Sequence, residues 1–208
     1  MKKERYFKEN ILIIVFSILF GFSLLMIFIQ EISLQETITG HATEIYTVSN
    51  VSISSFLSID MSPNLTAGIL FGTVSNLPAT NVNATHNYDS GESPPNQSSM
   101  FLNVSLDSNT AVDFCIKAND DLVDSVGGNR IGIDNETYSN SSVNNLTFPS
   151  LSNEKSINHS YVKSAINVEK GDNVYFRFWL DIPAATPAGS YNNTIYFKGV
   201  QNGSSCGS

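Results

Sequence analysis

Residues 11–29 (ILIIVFSILFGFSLLMIFI) run nineteen positions without a charge, interrupted only by Ser17, Gly21 and Ser23. Wound as a helix, the stretch is about 28 Å long, close to the hydrocarbon thickness of a bilayer. A core helix of that length, apolar on every side, would need more cover than one small domain provides. The stretch therefore reads as a transmembrane helix or signal anchor. Lys2, Lys3, Arg5 and Lys8 precede it, and Glu31 and Glu36 follow it. Basic flanks stay on the cytoplasmic side, which places residues 1–10 inside the cell and the remainder outside. The run is longer than a signal peptide's usual apolar core, favouring retention as an anchor. Gly40-His41-Ala42 is a small-x-small tripeptide that a signal peptidase could cut, which would release a secreted protein. The residues before Ile11 lack the glycine of a type IV prepilin cleavage site. The expected organisation is a basic cytoplasmic segment (1–10), the membrane segment (11–29), a polar stalk (30–42) and an ectodomain (43–208).

From Gln30 onward the chain carries 7 basic and 17 acidic residues, a formal charge of −10. Such a surface repels phosphate backbones and excludes nucleic acid as a partner. N-x-S/T acceptors occur at Asn50, Asn64, Asn83, Asn96, Asn103, Asn135, Asn140, Asn145, Asn158, Asn192 and Asn202, eleven of 23 asparagines. With Ser and Thr at about one fifth of the chain, chance predicts about five. The excess points to N-glycosylation; the bland alternative is drift toward Asn, Ser and Thr in a loop-rich protein. Side chains alternate across a strand, which gives a geometric check. Asn50, Asn103 and Asn192 each fall on the polar side of their apolar–polar alternation, where a glycan would have room.

The ectodomain reads as strands almost throughout. Period-two alternation covers 51–61, 100–107, 111–117, 190–199 and, more weakly, 160–168. Val174, Phe176, Phe178, Leu180 and Ile182 form the cleanest core face, with Tyr175, Arg177 and Trp179 opposite as a contact patch or a second buried face. Residues 67–74 (AGILFGTV) are apolar on both sides and read as a central strand. Residues 108–110 read as a hairpin turn, 84–99 and 135–153 as exposed loops, and 120–126 as the one helical candidate. Seven to nine short strands predict an all-β antiparallel sandwich, immunoglobulin-like or jelly-roll.

Two cysteines, Cys115 and Cys206, suit an oxidising compartment. Cys115 shares parity with Asp113 and Lys117, away from the Val112/Phe114/Ile116 face. A disulfide would then tie the tail 200–208 onto the domain; free thiols or an intermolecular bond are the alternatives. His41, His86 and His159 are scattered among polar residues without metal-ligand spacing and read as solvated. Asp120, Asp121, Asp124 and Asp134 surround a Gly127-Gly128 turn, a weak Ca²⁺ candidate lacking EF-hand spacing and otherwise a solvated acidic loop. No cofactor is otherwise implied. The chain contains no H-E-x-x-H, G-x-S-x-G, P-loop or C-x-x-C, so no catalytic residues are assigned and an enzyme is disfavoured.

FCIKANDDL (114–122) and WLDIPAATPAGSYNNTIYFKGVQNGSSC (179–206) resemble segments of archaeal surface β-sandwich proteins, over about residues 51–206. The broader group is similar to TasA/camelysin-type fibre subunits and archaeal threads or bundling pili. The resemblance implies a filament or envelope component in which one copy donates a strand to the next. Residues 43–49 (TEIYTVS), or the strand after them, would be the donor, although a retained anchor would restrain that segment. An adhesin or carbohydrate- or protein-binding module is the alternative function. Reversing the charges of Lys2, Lys3, Arg5 and Lys8 is expected to impair or invert insertion. Protease protection of the ectodomain checks this, and unchanged topology counts against the membrane reading.

Overall fold

A computed structural model describes residues 15–25, 54–92 and 95–207. The chain divides into two compact units, Met1–Ser54 and Ser55–Ser208. In the first, residues 15–25 are helical, with every side chain exposed. The rest of the apolar stretch, the stalk at 30–42, His41, Asn50 and the donor candidate at 43–49 lie outside the described residues. Among the described residues no helix is long and apolar enough to cross a membrane.

The second unit is mostly β, with antiparallel sheets, a one-turn helix at Pro63–Ala67 and two 3-10 turns at Ile133–Asn135 and Leu151–Asn153. Its strands are β1 (Ile59–Met61), β2 (Ala79–Asn83), β3 (Phe101–Val104), β4 (Val112–Ala118), β5 (Leu122–Asp124), β6 (Arg130–Ile131), β7 (Glu136–Ser141), β8 (Lys155–Ser156), β9 (Val162–Val168), β10 (Asn173–Ile182), β11 (Tyr191–Asn192) and β12 (Ile195–Gln201). A six-stranded sheet has the order β1-β3-β10-β7-β8, with β2 also on β10. Two three-stranded sheets follow, β12-β4-β9 and β11-β5-β6. The first two sheets pack face to face in a sandwich-like arrangement. Leu102, Val104, Tyr138, Val174, Phe176 and Phe178 from one meet Val112, Phe114, Ile116 and Val168 from the other. Phe176 and Phe197 bridge the layers edge-on, with ring centroids 5.6 Å apart. Alternation explains the pattern, because Val174, Phe176 and Phe178 all face the core.

The opposite side of β10 is buried as well. Arg177 is 0 % exposed and Trp179 2 %. Arg177 makes five hydrogen bonds, all to backbone carbonyls. Nε donates to Asn87 O, Nη1 to Leu146 O and Pro149 O, and Nη2 to Asn96 O and Asn145 O. A guanidinium has five N–H groups, so its donor capacity is fully used. The Tyr88 ring lies 4.0 Å from Cζ, adding a cation–π contact. Burial pulls the Arg177 pKa down, opposed by Tyr88.

This contact corrects the expectation that 84–99 is an exposed loop. Ala84, Asn87, Ser98 and Ser99 are buried. β10 pairs with β3 at 173–175 and with β2 from 179. In the gap between, loop side chains take over the ladder's hydrogen bonds. Asn87 accepts from Phe178 N and donates to Phe178 O, while Ser98 Oγ donates to Phe176 O. Buried backbone groups need partners, and these short polar side chains supply them.

Other expectations also give way. Residues 67–74 contain no strand: Ala67 closes a one-turn helix (Pro63–Ala67), and Gly68 (φ +115°) and Gly72 (φ +71°) occupy backbone regions that break a ladder, although Ile69 and Phe71 still pack on the core. The 108–110 turn makes no hairpin, because β3 and β4 belong to different sheets. The helical candidate at 120–126 contains β5, and the loop expected at 135–153 contains β7, paired with β10 over six residues. The mutation Arg177→Met should destabilise the β unit by about 3–5 kcal/mol, because it strips donors from buried carbonyls. Arg177→Lys, with fewer donors, should fall between. Denaturant unfolding followed by the fluorescence of Trp179, the only tryptophan, measures both.

Candidate functional site

On one side of the sandwich the small sheet ends at β9. Among the described residues β9 pairs with β4 alone, and its other edge faces a groove of about 530 Å³. Asn140, Lys155, Ile166, Val168 and Val174 are among the groove's lining residues. Val168 and Val174 give it an apolar floor, and Ile166 is 67 % exposed at its rim. An unpaired edge beside an apolar floor is a template for an added strand. The edge is irregular: the β4–β9 register shifts near Phe114, and Asn167 has φ +52°. Such irregularity restrains indiscriminate pairing.

Part of the outer face of the same sheet, around Cys115 and Asp113, is covered by the C-terminal tail. Cys115 and Cys206 form a disulfide, with Cα atoms 6.0 Å apart. Cys115 is fully buried, and so is Asp113 beside it on that face. Lys163 Nζ donates to Asp113 Oδ2 at 2.5 Å, Asn167 N to Oδ1 at 2.8 Å and Gly203 N to Oδ2 at 3.0 Å. Burial alone would raise the Asp113 pKa. The lysine and the two amide donors outweigh it and hold the carboxyl below its ordinary value. Parity in the sequence placed Asp113 outward, and the tail then covers it.

Ten of the eleven glycan acceptors are described, and none is buried. Asn83, Asn96, Asn158, Asn192 and Asn202 are exposed; Asn64, Asn103, Asn135, Asn140 and Asn145 are partly exposed. Four of them donate their Nδ2 within the protein: Asn64 to Ser99, Asn103 to Asn173, Asn135 to Gly132 and Asn202 to Asn167. Asn83 and Asn145 use only their Oδ1 as acceptors, from Trp179 Nε1 and from Thr147 and Phe148 N–H groups respectively.

The four aspartates of the weak Ca²⁺ candidate each have protein partners. Asp120 pairs with Arg130 at 2.6 Å, which holds its pKa down. Asp121 accepts from Ile133 N and lies 3.5 Å from His159. Asp124 accepts from Val126 and Gly127 N–H groups. Asp134 accepts from the Asn135 amide. Among the described residues no group of three or more His, Cys, Asp or Glu is gathered to hold a metal. His86 sits 3.0 Å from Asp89, away from this loop.

Two buried polar groups were not picked out in the sequence. The Tyr138 hydroxyl is buried without a partner among the described residues, and burial raises its pKa to about 12. Glu136, two residues earlier on the same core-facing parity, is 1 % exposed. The Asn193 amide donates to its Oε2 at 2.9 Å. Burial raises the Glu136 pKa to about 7, against the opposing pull of Asn193. Its signal was faint, since a Glu opening a polar run (ETYSNS) looks like a loop residue.

No family model, curated protein or solved structure matches this chain.

The folded state binds the Glu136 proton more tightly than the unfolded chain does. Its contribution is therefore fully present below about pH 4.5 and is lost as pH rises to about 7. Glu136→Gln should flatten that part of the stability–pH curve and stabilise the protein above pH 7 by about 2–3 kcal/mol. Denaturant titrations from acid to mildly alkaline pH measure the slope.

Proposed function

We propose that the chain is a glycosylated cell-surface structural protein, anchored by residues 11–29 and acting as an envelope component or as a filament subunit assembled by strand donation. The observation that carries this reading is the placement of the acceptors: all follow the apolar stretch, and no described one is buried. The exposed apolar side chains at 15–25, such as Phe16 and Phe20, support a lipid environment for that helix. The disulfide suits an oxidising compartment. The sandwich-like pairing of sheets is compatible with the immunoglobulin-like or jelly-roll architecture expected from the strand pattern.

Strand donation has a receiving site in the β9 edge and its groove, and a donor in residues 43–49 of a neighbouring copy. Main-chain hydrogen bonds would supply affinity, and the apolar floor would select side chains. A structural role is proposed over an enzyme on the sequence motifs alone.

The test is N-terminal sequencing, glycopeptide mapping and electron microscopy of material from the native cell surface. Glycans are expected first at Asn83, Asn96, Asn140, Asn145, Asn158 and Asn192, whose Nδ2 groups donate to no described residue. Asn64, Asn103, Asn135 and Asn202 should be less occupied, because attachment competes with an existing hydrogen bond. Cytosolic protein with bare asparagines would overturn the reading.

A further inference from the structure

Three of the seven basic residues beyond Gln30 lie on one face, the outer side of the β12-β4-β9 sheet. The register sets them side by side. Tyr196 pairs with Lys117, Lys198 with Cys115, and Cys115 with Lys163 on the other side. Lys117 Nζ lies 4.6 Å from the Tyr161 ring centroid and 5.6 Å from that of Tyr196. Lys198 Nζ lies 5.4 Å from Tyr161. The rings hold the two ammonium groups in place without neutralising them. Lys163 is paired with buried Asp113, whereas Lys198 donates only to the Cys206 carbonyl and Lys117 meets only aromatic rings among the described residues. The acidic residues within four positions of Lys117, namely Asp113, Asp120 and Asp121, are engaged with Lys163, Arg130 and His159 respectively.

The opposite end of this sheet has the opposite sign. Val112 of β4 pairs with Val168 of β9 there, so the β3–β4 connection and the β9–β10 turn are neighbours. Gly171 N donates to Val104 O and Val104 N to Asp172 O, tying the turn to the end of β3. Asp107, Glu169 and Asp172 are all exposed in this region, against one cation, Lys170. With seven-residue strands, the two regions are about 20 Å apart.

We propose that the Lys117/Lys198/Tyr161/Tyr196 face docks on the Asp107/Glu169/Asp172 end of a second copy of this chain. The occupant follows from charge complementarity. In a segment of net charge −10, an unneutralised pair of lysines is a local exception, and the same molecule displays its complement at the far end of the sheet. A contact between two different surfaces of one chain is head-to-tail and propagates instead of closing into a dimer. The inference deepens the structural reading above and rests on it; its lysine face, Lys117 and Lys198 with their tyrosines, lies outside the β9 groove, while its acidic end borders that groove at Asp172.

The test is sedimentation velocity of the full-length chain in neutral detergent at ~20 mM and ~500 mM salt, which shortens the Debye length from roughly 20 Å to 4 Å. The unmodified chain should associate at low salt and separate at high salt. Lys117→Glu with Lys198→Glu should weaken low-salt association about tenfold or more, as should Asp107→Lys with Glu169→Lys. An equimolar mixture of the two variants should restore pairing. Glu92→Lys, a charge change on an exposed loop outside both surfaces and outside the β9 groove, should leave association unchanged. Trp179 fluorescence during unfolding verifies that each variant is folded. Unchanged association of the lysine variant, or no restoration in the mixture of folded variants, overturns the proposal. So does binding of a soluble polyuronate that requires both lysines while copies remain single, because it assigns the face to an acidic saccharide. Native filaments that survive the lysine substitutions sink this contact and leave the structural reading standing. Native material with no assembly at all sinks both.

Discussion

The Arg177 guanidinium holds the second unit together in a way no apolar contact does. It sits on the outward side of the longest strand and directs all five donors at carbonyls of two loops. Those carbonyls would otherwise be buried without partners, at a cost of about 1–3 kcal/mol each. The loops in turn cover β10, contributing Asn87 and Ser98 as substitutes for a missing stretch of neighbouring strand. The cation needs no carboxylate, because five carbonyl dipoles and the Tyr88 face offset its desolvation.

The small sheet is covered on its outer face by a different device. The chain end folds across β4, joined by Cys206 and by the Gly203 amide on Asp113. Both β4 and β10 are thereby buried on two sides, one by loops and the other by the tail. The cover is incomplete at the β9 edge and over the Lys117/Tyr161/Tyr196 end. Those uncovered places are the ones the proposed assembly would use, and they differ in physics. The groove offers main-chain pairing over an apolar floor, whereas the lysine face offers salt-sensitive charge.

Period two made much of the framework legible. The alternation of 100–107, 111–117, 160–168 and 174–182 corresponds to β3, β4, β9 and β10, and 190–199 to β11 and β12. These strands bury one apolar face against the facing sheet, which writes a plain pattern into the sequence. β2, β5, β6, β7 and β8 were not legible. β7 (ETYSNS) is polar, and its place beside β10 comes from six residues of main-chain pairing that leave no hydrophobic signature. Residues 67–74 failed in the opposite direction: apolar enough for a strand, they pack irregularly because two glycines hold left-handed backbone angles.

Composition and local pattern by themselves determined the apolar stretch with its charged flanks, the excess of glycan acceptors, the antiparallel β class and the availability of two cysteines for bonding. All of these depend on residues close in sequence or on counts. Tertiary structure alone decided that Arg177 would be a hub instead of a surface contact, that Asp113 and Glu136 would be buried, and that two lysines would share a tyrosine-lined face. Each joins residues separated by tens of positions, and a side chain's charge does not specify which distant backbone or ring will be folded against it.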